Sequence, residues 1–138
     1  MTSNSDEFER ELEREQKALF EGQILAATQK LALEGLRRLV NKTPVDTGRA
    51  KGNWQTTIGS VATGTNDTTD PGGQKTISQG ADTITGAPIF RPIAITNNLP
   101  YIVALEHGHS QQAPKGMLAI TVSELESQFR EVRDADLQ

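Results

Sequence analysis

Apolar residues are unevenly distributed along this chain of 138 residues. They are concentrated in three stretches, residues 8–40, 89–105 and 117–132, whereas the span from Gly59 to Gly86 contains few of them. A stretch with few apolar side chains has little to contribute to a hydrophobic core. The pattern therefore predicts a compact core with protruding segments, which is common in subunits whose remaining surface is covered by neighbours.

The first apolar stretch has the periodicity of one long helix over residues 5–42. Between residues 6 and 17, nine of twelve residues are charged, and the acidic first turns suit the helix dipole. We therefore predict an acidic helical arm over residues 1–18, solvated or facing a partner. We expect the core-forming helix to begin at Leu19 and to end at Thr43-Pro44, because the residue before a proline disfavours the helical conformation.

Two short strands are predicted in the middle of the chain. The first covers residues 55–61 and the second residues 88–96, where Pro92 indicates a sheet edge or a bulge. Between them, residues 62–75 have the Gly, Thr and Asp composition of a flexible loop, and helical spacing returns over residues 75–86.

The end of the chain predicts two further helices. Residues 101–106 have the length of a helix of one or two turns, which His107-Gly108-His109 breaks. An amphipathic helix is expected over residues 115–133. Its apolar positions step by 4, 3, 4 and 3 residues: Leu118, Val122, Leu125, Phe129 and Val132. The predicted fold is a single α+β domain over residues 19–138, in which the long N-terminal helix and the C-terminal amphipathic helix pack on a small antiparallel sheet with a variable middle loop.

Composition excludes several classes of function. Only 35% of residues are apolar and 4% aromatic, so the core is expected to be small. The net charge of −4 argues against binding nucleic acid through a basic surface. The absence of cysteine excludes disulfides, thiolate chemistry and cysteine-based zinc sites. No run approaches the ~18 apolar residues of a membrane span, and the polar, acidic first residues do not resemble a signal peptide.

Glu106, His107 and His109 invite interpretation as a metal site, because imidazole and carboxylate groups are good zinc ligands. The two histidines flank Gly108 on a loop and lack helical spacing, and the chain has no third histidine. The other interpretation is structural: Glu106 is held by backbone groups or by a neighbouring subunit, and Gly108 permits a sharp reversal of the chain. We expect no metal.

Ser110, either histidine and Asp46 contain the residue types of a catalytic triad, but nothing in their spacing fixes a triad geometry. Gly48 and Gly52 lack the Gly-Lys-Ser/Thr ending of a phosphate-binding loop. We therefore expect no catalytic residues and no cofactor.

The segment TPVDTGRAKGNW, residues 43–54, combines a turn with the only tryptophan. Asp46 is expected to accept backbone N–H groups in that turn. Arg49 and Lys51 either pair with acidic groups on another chain or belong to a solvated turn. Trp54 is expected to anchor the core with its N–H hydrogen-bonded.

This segment, ITNNLPYIVALEHGHSQQAPKGM (residues 95–117) and the closing ITVSELESQF (residues 120–129) resemble a known family. It is the neck or tail-completion family of long-tailed bacteriophages, whose members are often described as minor tail components and which is related to the tail completion protein of lambda-like phages. The order of elements, from long helix through turn, strands and loops to the last helix, is also that of the family. The resemblance covers nearly the whole chain from about residue 20.

The resemblance implies a structural, non-enzymatic virion protein of the tail or neck, made in the host cytoplasm. Such a protein forms a ring, expected to be a hexamer, that joins the tail to the head and leaves an axial channel for DNA. The implied partners are copies of itself, the tail terminator or tail tube protein, the head-closure or connector protein, and DNA that passes through the channel without sequence-specific binding; no membrane is involved.

The resemblance also carries over a set of motif residues. In this set the glycines and the proline are expected to set the backbone, while Arg49 and Glu106 hold loops or neighbouring subunits. The set consists of Asp46, Gly48, Arg49, Trp54, Asn97, Tyr101, Glu106, Gly108, Ser110, Pro114 and Gly116.

Three alternatives remain beside the neck function. A head-closure or tail-terminator ring protein would also be a small α+β subunit. A small metal-dependent hydrolase or nuclease would act through residues 106–110. A host-interaction module would use the acidic helix as its partner-binding arm.

Overall fold

The computed structural model describes residues 4–108, 110–113 and 115–136. The chain forms an α+β fold with a long N-terminal helix, a C-terminal helix and a small antiparallel sheet, as predicted. In chain order the elements are α1 (Asn4–Lys42), α2 (Arg49–Gly52), β1 (Gln55–Ile58), α3 (Gln74–Thr85), β2 (Ile93–Thr96), α4 (Ile102–Glu106) and α5 (Leu118–Asp136). None of the helices in these ranges is both long and apolar enough to cross a membrane.

β1 and β2 pair in antiparallel register, with Gln55 opposite Thr96 and Ile58 opposite Ile93. Both strands are shorter than predicted. The backbone at Gly59 has a φ of 89°, which turns the chain away directly after β1. Phe90 also has a positive φ, of 63°, so residues 89 and 90 form a turn where the sequence indicated a strand.

α3 packs against both α1 and β1. Gly80 lies at this crossing, and a Cβ there would overlap Leu36 Cδ2 and lie 2.8 Å from Thr56 Oγ1. Relieving these contacts would require the packed side chains of Leu36 and Thr56, or α3 itself, to shift. Glycine therefore allows α3 to approach the rest of the core.

The core consists of side chains from the second half of α1 and from four later segments. Its buried members are Leu36, Leu39, Val40, Trp54, Ile84, Ala113 and Met117. Trp54 is only 8% exposed, and its indole N–H donates to Thr43 Oγ1 at 2.7 Å. The Thr43 hydroxyl in turn donates to the Leu39 carbonyl oxygen at 2.6 Å. The prediction of a core tryptophan with a bonded N–H is confirmed.

α1 is 39 residues long, which corresponds to about 58 Å. Its first half is exposed along its whole length, from residue 4 to residue 20. The core-forming half was expected to begin at Leu19, but Leu19 is 65% exposed and Phe20 is exposed as well. The first apolar side chain that is half-buried is Ile24, so the projecting arm is longer than predicted.

α5 begins three residues later than predicted and continues to Asp136. It lies along α1, where its Leu125 is the nearest neighbour of Gly35. At the polar edge of this contact, Glu124 accepts hydrogen bonds from Arg38 and Lys42, each at 2.8 Å. The hydrogen bond from Lys42 has the largest effect on the pKa of the Glu124 carboxyl, which it lowers. Burial opposes it by raising the pKa, and the charges of Lys42 and Arg38 lower the pKa further.

Candidate assembly site

The turn after α1 is fixed by Gly48. Its carbonyl oxygen accepts the backbone N–H of Gly52 and that of Asp70, both at 3.0 Å. Its φ of 88° lies in the left-handed region that favours glycine, and a Cβ there would overlap the Pro71 nitrogen. Gly48 therefore joins the turn to the segment that precedes α3.

Asp46 does not accept backbone N–H groups as predicted. No hydrogen bond or ion pair to its exposed carboxylate is found in the part of the chain that the structure describes. The turn is bonded instead through Thr47, whose hydroxyl oxygen accepts the backbone N–H of Arg49 at 3.3 Å.

Arg49 pairs with residues of its own chain. Its guanidinium lies 3.5 Å from the Asp67 carboxylate, and its Nε donates to the Asn66 carbonyl oxygen at 3.4 Å. Arg49 thus holds a loop, one of the two roles that the resemblance implies. Lys51 is buried, so it is not placed to pair with a neighbouring subunit as the sequence indicated.

Asn53 fastens the middle loop and was not singled out from the sequence. Its side chain is fully buried and donates to the carbonyl oxygens of Arg49, at 2.8 Å, and Asn66, at 3.0 Å. Its own amide oxygen accepts the backbone N–H of Asn66 at 2.9 Å. Further along, Asn98 donates to the carbonyl oxygens of Ala62 and Gly64 at 2.8 and 3.1 Å.

The two sequence motifs are bonded to each other. Asn97 donates from its side chain to the Ala50 carbonyl oxygen at 2.9 Å. Gln112 brackets Val45, since its amide oxygen accepts the Val45 N–H at 2.8 Å and its amide nitrogen donates to the Val45 carbonyl oxygen at 3.0 Å. Segments more than 40 residues apart in the sequence therefore form one unit.

Glu106, at the end of α4, caps the start of α5. Its Oε1 accepts the N–H groups of Met117 and Leu118, at 2.9 and 2.7 Å, and its Oε2 accepts that of Ala119 at 3.1 Å. These are the N–H groups that a helix start leaves without a partner in the helix. The sequence left open whether backbone or a neighbouring subunit holds Glu106, and backbone of the same chain holds it.

The electrostatics of Glu106 follow from these bonds. Burial raises the pKa of the carboxyl group, but the three backbone hydrogen bonds and the nearby His107 together outweigh it and lower the pKa below the ordinary value. The carboxylate is therefore ionised and committed to the helix start.

Two glycines shape the reversal between α4 and α5. Gly108, with a φ of 83°, follows α4 and allows the sharp turn expected from the sequence. Gly116 has a φ of 81°, and a Cβ there would overlap the Glu106 carbonyl oxygen. Pro114 and His109, which the sequence analysis also named, lie outside the described residues.

A cavity of about 550 Å³ lies between the two motifs. Five of the expected motif residues line it: Asp46, Gly48, Arg49, Tyr101 and Ser110. Trp54 lies in the core, while Glu106, the last residue of α4, and Gly116 lie where the chain approaches the start of α5. The structure thus groups part of the set around one cavity and places these three in the framework beside it.

Of the candidate chemical groups, Ser110 and Glu106 have structural partners, whereas the Asp46 carboxylate has none among the described residues. The Ser110 hydroxyl oxygen accepts the backbone N–H of Gln112 at 3.2 Å. The Glu106 carboxylate accepts hydrogen bonds from the backbone N–H groups at the start of α5. Within the described residues, which leave out His109, no three His, Asp or Glu side chains are grouped so that they could hold a metal ion.

Asn53, Gln112 and Asp70 are the polar residues that sequence reasoning missed. Asp70 holds the start of α3, where its carboxylate accepts the N–H and the hydroxyl of Thr76 at 2.7 and 2.8 Å. An Asp-Pro-Gly-Gly turn before a helical segment was a usable signal for Asp70. Asn53 and Gln112 act on distant backbone, and no local pattern marks them.

Comparison with known proteins adds no relative: no protein-family model matches the chain, and no curated protein or solved structure shows significant similarity to it.

Proposed function

We propose that this protein is a neck or tail-completion subunit of a long-tailed bacteriophage. In this role, copies form a ring between the head connector and the tail tube, join the tail to the head, and leave an axial channel for DNA. The proposal comes from the resemblance of residues 43–54 and 95–129 to that family.

The observation that carries the proposal is the way the two motifs are used. Their polar side chains bind backbone: Asn97 binds Ala50, Gln112 brackets Val45, and Glu106 caps α5. Such bonds define the shape of a surface and leave no reacting group free in these side chains. This use of the motifs favours an architectural function over catalysis.

The distribution of exposed apolar residues also supports a subunit of an assembly. Phe8, Leu12 and Leu19 are exposed on the arm, and Leu118 and Phe129 are exposed on α5. Exposed apolar surface of this extent in a small protein is typical of a surface that another chain covers.

Electron microscopy of lysates from a phage with this gene disrupted tests the function. We expect full heads and separate tails, and we expect joined particles to return when the protein is supplied in trans. Tails of normal length would indicate completion, whereas overlong tails would indicate the alternative of a tail terminator. Normal joined particles without the protein would contradict both.

A further inference from the structure

The exposed arm of α1 combines apolar side chains with acidic neighbours. Phe8 lies between Glu7 and Glu9, and Leu12 lies between Glu11 and Glu13. Residues 4–18 contain six acidic and three basic side chains, so the arm carries a net charge of −3 out of −4 for the chain. Its surface therefore offers apolar groups to a partner that also carries positive charge.

A groove with the complementary character lies at the opposite end of α1. Its volume is about 240 Å³, below the roughly 300–1,000 Å³ of small-molecule pockets, so it suits single side chains better than a free ligand. The lining is mostly apolar with two lysines: Lys42, Gln112, Ala113, Lys115, Gly116 and Ile120. Lys42 is bound to Glu124, whereas exposed Lys115 forms no ion pair with any residue that the structure describes.

We propose that the arm of one copy docks in this groove of the next copy, with Phe8 and Leu12 facing the groove and their flanking glutamates beside Lys115. Apolar burial would provide the affinity, and the opposite charges would select the partner and the orientation. The inference rests on the proposed ring and specifies which surfaces meet in it.

The arm cannot occupy the groove of its own chain. Phe8 and Lys42 lie 34 positions apart on one continuous helix, which corresponds to about 50 Å along its axis. The occupant must therefore come from another copy. Because the two surfaces differ, the contact is heterologous, and it propagates from copy to copy until the ring closes.

A second exposed groove is an alternative docking site for the arm. It is about 340 Å³, lies between α1, β2 and α5, and is lined by apolar residues that include Leu31, Ile95 and Val122. Among the described residues, no lysine or arginine lines it. An acidic arm therefore fits the lysine groove better.

Disulfide trapping tests the contact directly, because the chain contains no cysteine. Full-length proteins with Glu11→Cys and with Ile120→Cys, which keep Phe8, Leu12 and both lysines, are mixed and oxidised. We expect a mixed disulfide between them. A Lys75→Cys protein, with its thiol at an exposed position near the start of α3, is the matched control and should not react with the arm. An arm thiol that cross-links only to itself, or to Val122→Cys in the apolar groove, would overturn the proposal.

Charge reversal provides a second, independent measurement. Sedimentation of the full-length protein should show that Lys115→Glu weakens association about tenfold or more, whereas Lys75→Glu leaves it unchanged. An arm with Glu7, Glu9 and Glu11 changed to Lys should restore association with the Lys115→Glu protein. Equal behaviour of the two lysine variants would contradict the docking.

The two proposals can fail separately. A cross-link together with normally joined particles after gene disruption would keep the docking and remove the neck function. Loss of joining in the phage without any arm-to-groove cross-link would keep the function and remove the docking.

Discussion

At the scale of single residues, this protein uses polar side chains to satisfy backbone groups that are distant in sequence. Glu106 is the fullest case, since one carboxylate accepts three N–H groups at the start of α5. Asn53 and Gln112 each make both donor and acceptor bonds to backbone of another segment. Such side chains connect loops to segments that are distant in the sequence.

Glu106→Gln should lower the free energy of unfolding by about 1–2 kcal/mol, because the amide loses the charge that suits a helix start and one of its two acceptor oxygens. Urea denaturation followed by the fluorescence of Trp54 measures the change. Glu126→Gln, which removes an exposed carboxylate from the same helix, should change stability by less than about 0.5 kcal/mol. Equal effects of the two variants would remove the capping role.

The comparison of wild type with the Glu106→Gln variant also gives a prediction about pH. The folded-state pKa of Glu106 lies below its unfolded value of about 4.3, so its contribution to stability is fully present above that pH. The contribution is lost as the pH falls through the folded pKa. The difference in unfolding free energy between wild type and Glu106→Gln should therefore shrink below about pH 4. A difference that stays constant down to about pH 2 would contradict this assignment.

Thr43→Val should destabilise the fold by about 1–3 kcal/mol, because it leaves the buried N–H of Trp54 without an acceptor. Thr28→Val is the matched control, since Thr28 makes the same hydroxyl bond to the carbonyl four residues earlier but lies exposed and far from the tryptophan. Thermal unfolding should separate the two variants. Similar midpoints would show that the bond to Trp54 contributes little.

At the scale of elements, α1, α3, α4 and α5 were predictable, whereas α2 and the ends of the strands were not. α1 and α5 follow from apolar periodicity, which depends only on local spacing. The early end of β1 depends on the left-handed conformation of Gly59, and the late start of β2 depends on the positive φ of Phe90. Both are conformations that the surrounding structure imposes. The sequence left open whether backbone or a neighbouring subunit holds Glu106, because its partners at residues 117–119 require a chain reversal that no local pattern specifies.

Two glycines in helices should respond in opposite ways to alanine. Gly80→Ala should destabilise the protein by roughly 1–3 kcal/mol, because its Cβ would press on Leu36 and Thr56. Gly22→Ala has open space around the new methyl group and should stabilise the arm helix by up to about 1 kcal/mol. Circular dichroism and urea denaturation measure both. A neutral Gly80→Ala would mean that α3 can shift away from α1.

At the scale of the whole molecule, α1 passes through two environments. Its start is the exposed arm, and its end belongs to the body, the folded part of the protein that contains the core. Residues 4–20 are exposed throughout, while all buried residues of α1 lie between Gly35 and Val40. The arm also holds most of the net charge, so the remaining protein is close to neutral. The residues that stabilise the fold are therefore different from the residues that the arm exposes to a partner.

Deletion of residues 1–18 should leave the unfolding free energy of the body within about 0.5 kcal/mol of wild type, because no described residue of that segment is buried. The tryptophan fluorescence spectrum of the folded protein should be unchanged, since Trp54 packs only in the body. A shifted spectrum or a lost cooperative transition would show that the arm supports the core.

Because α1 is one continuous helix, a rotation of the body displaces the far end of the arm more than its base. A tilt of the body by about 5° would displace the far end of the exposed segment, about 25 Å away, by about 2 Å. That displacement is comparable to the difference between contact and separation of two side chains. The orientation of each body thus sets the position of its arm tip, and small rotations of a subunit would be magnified at whatever the arm touches.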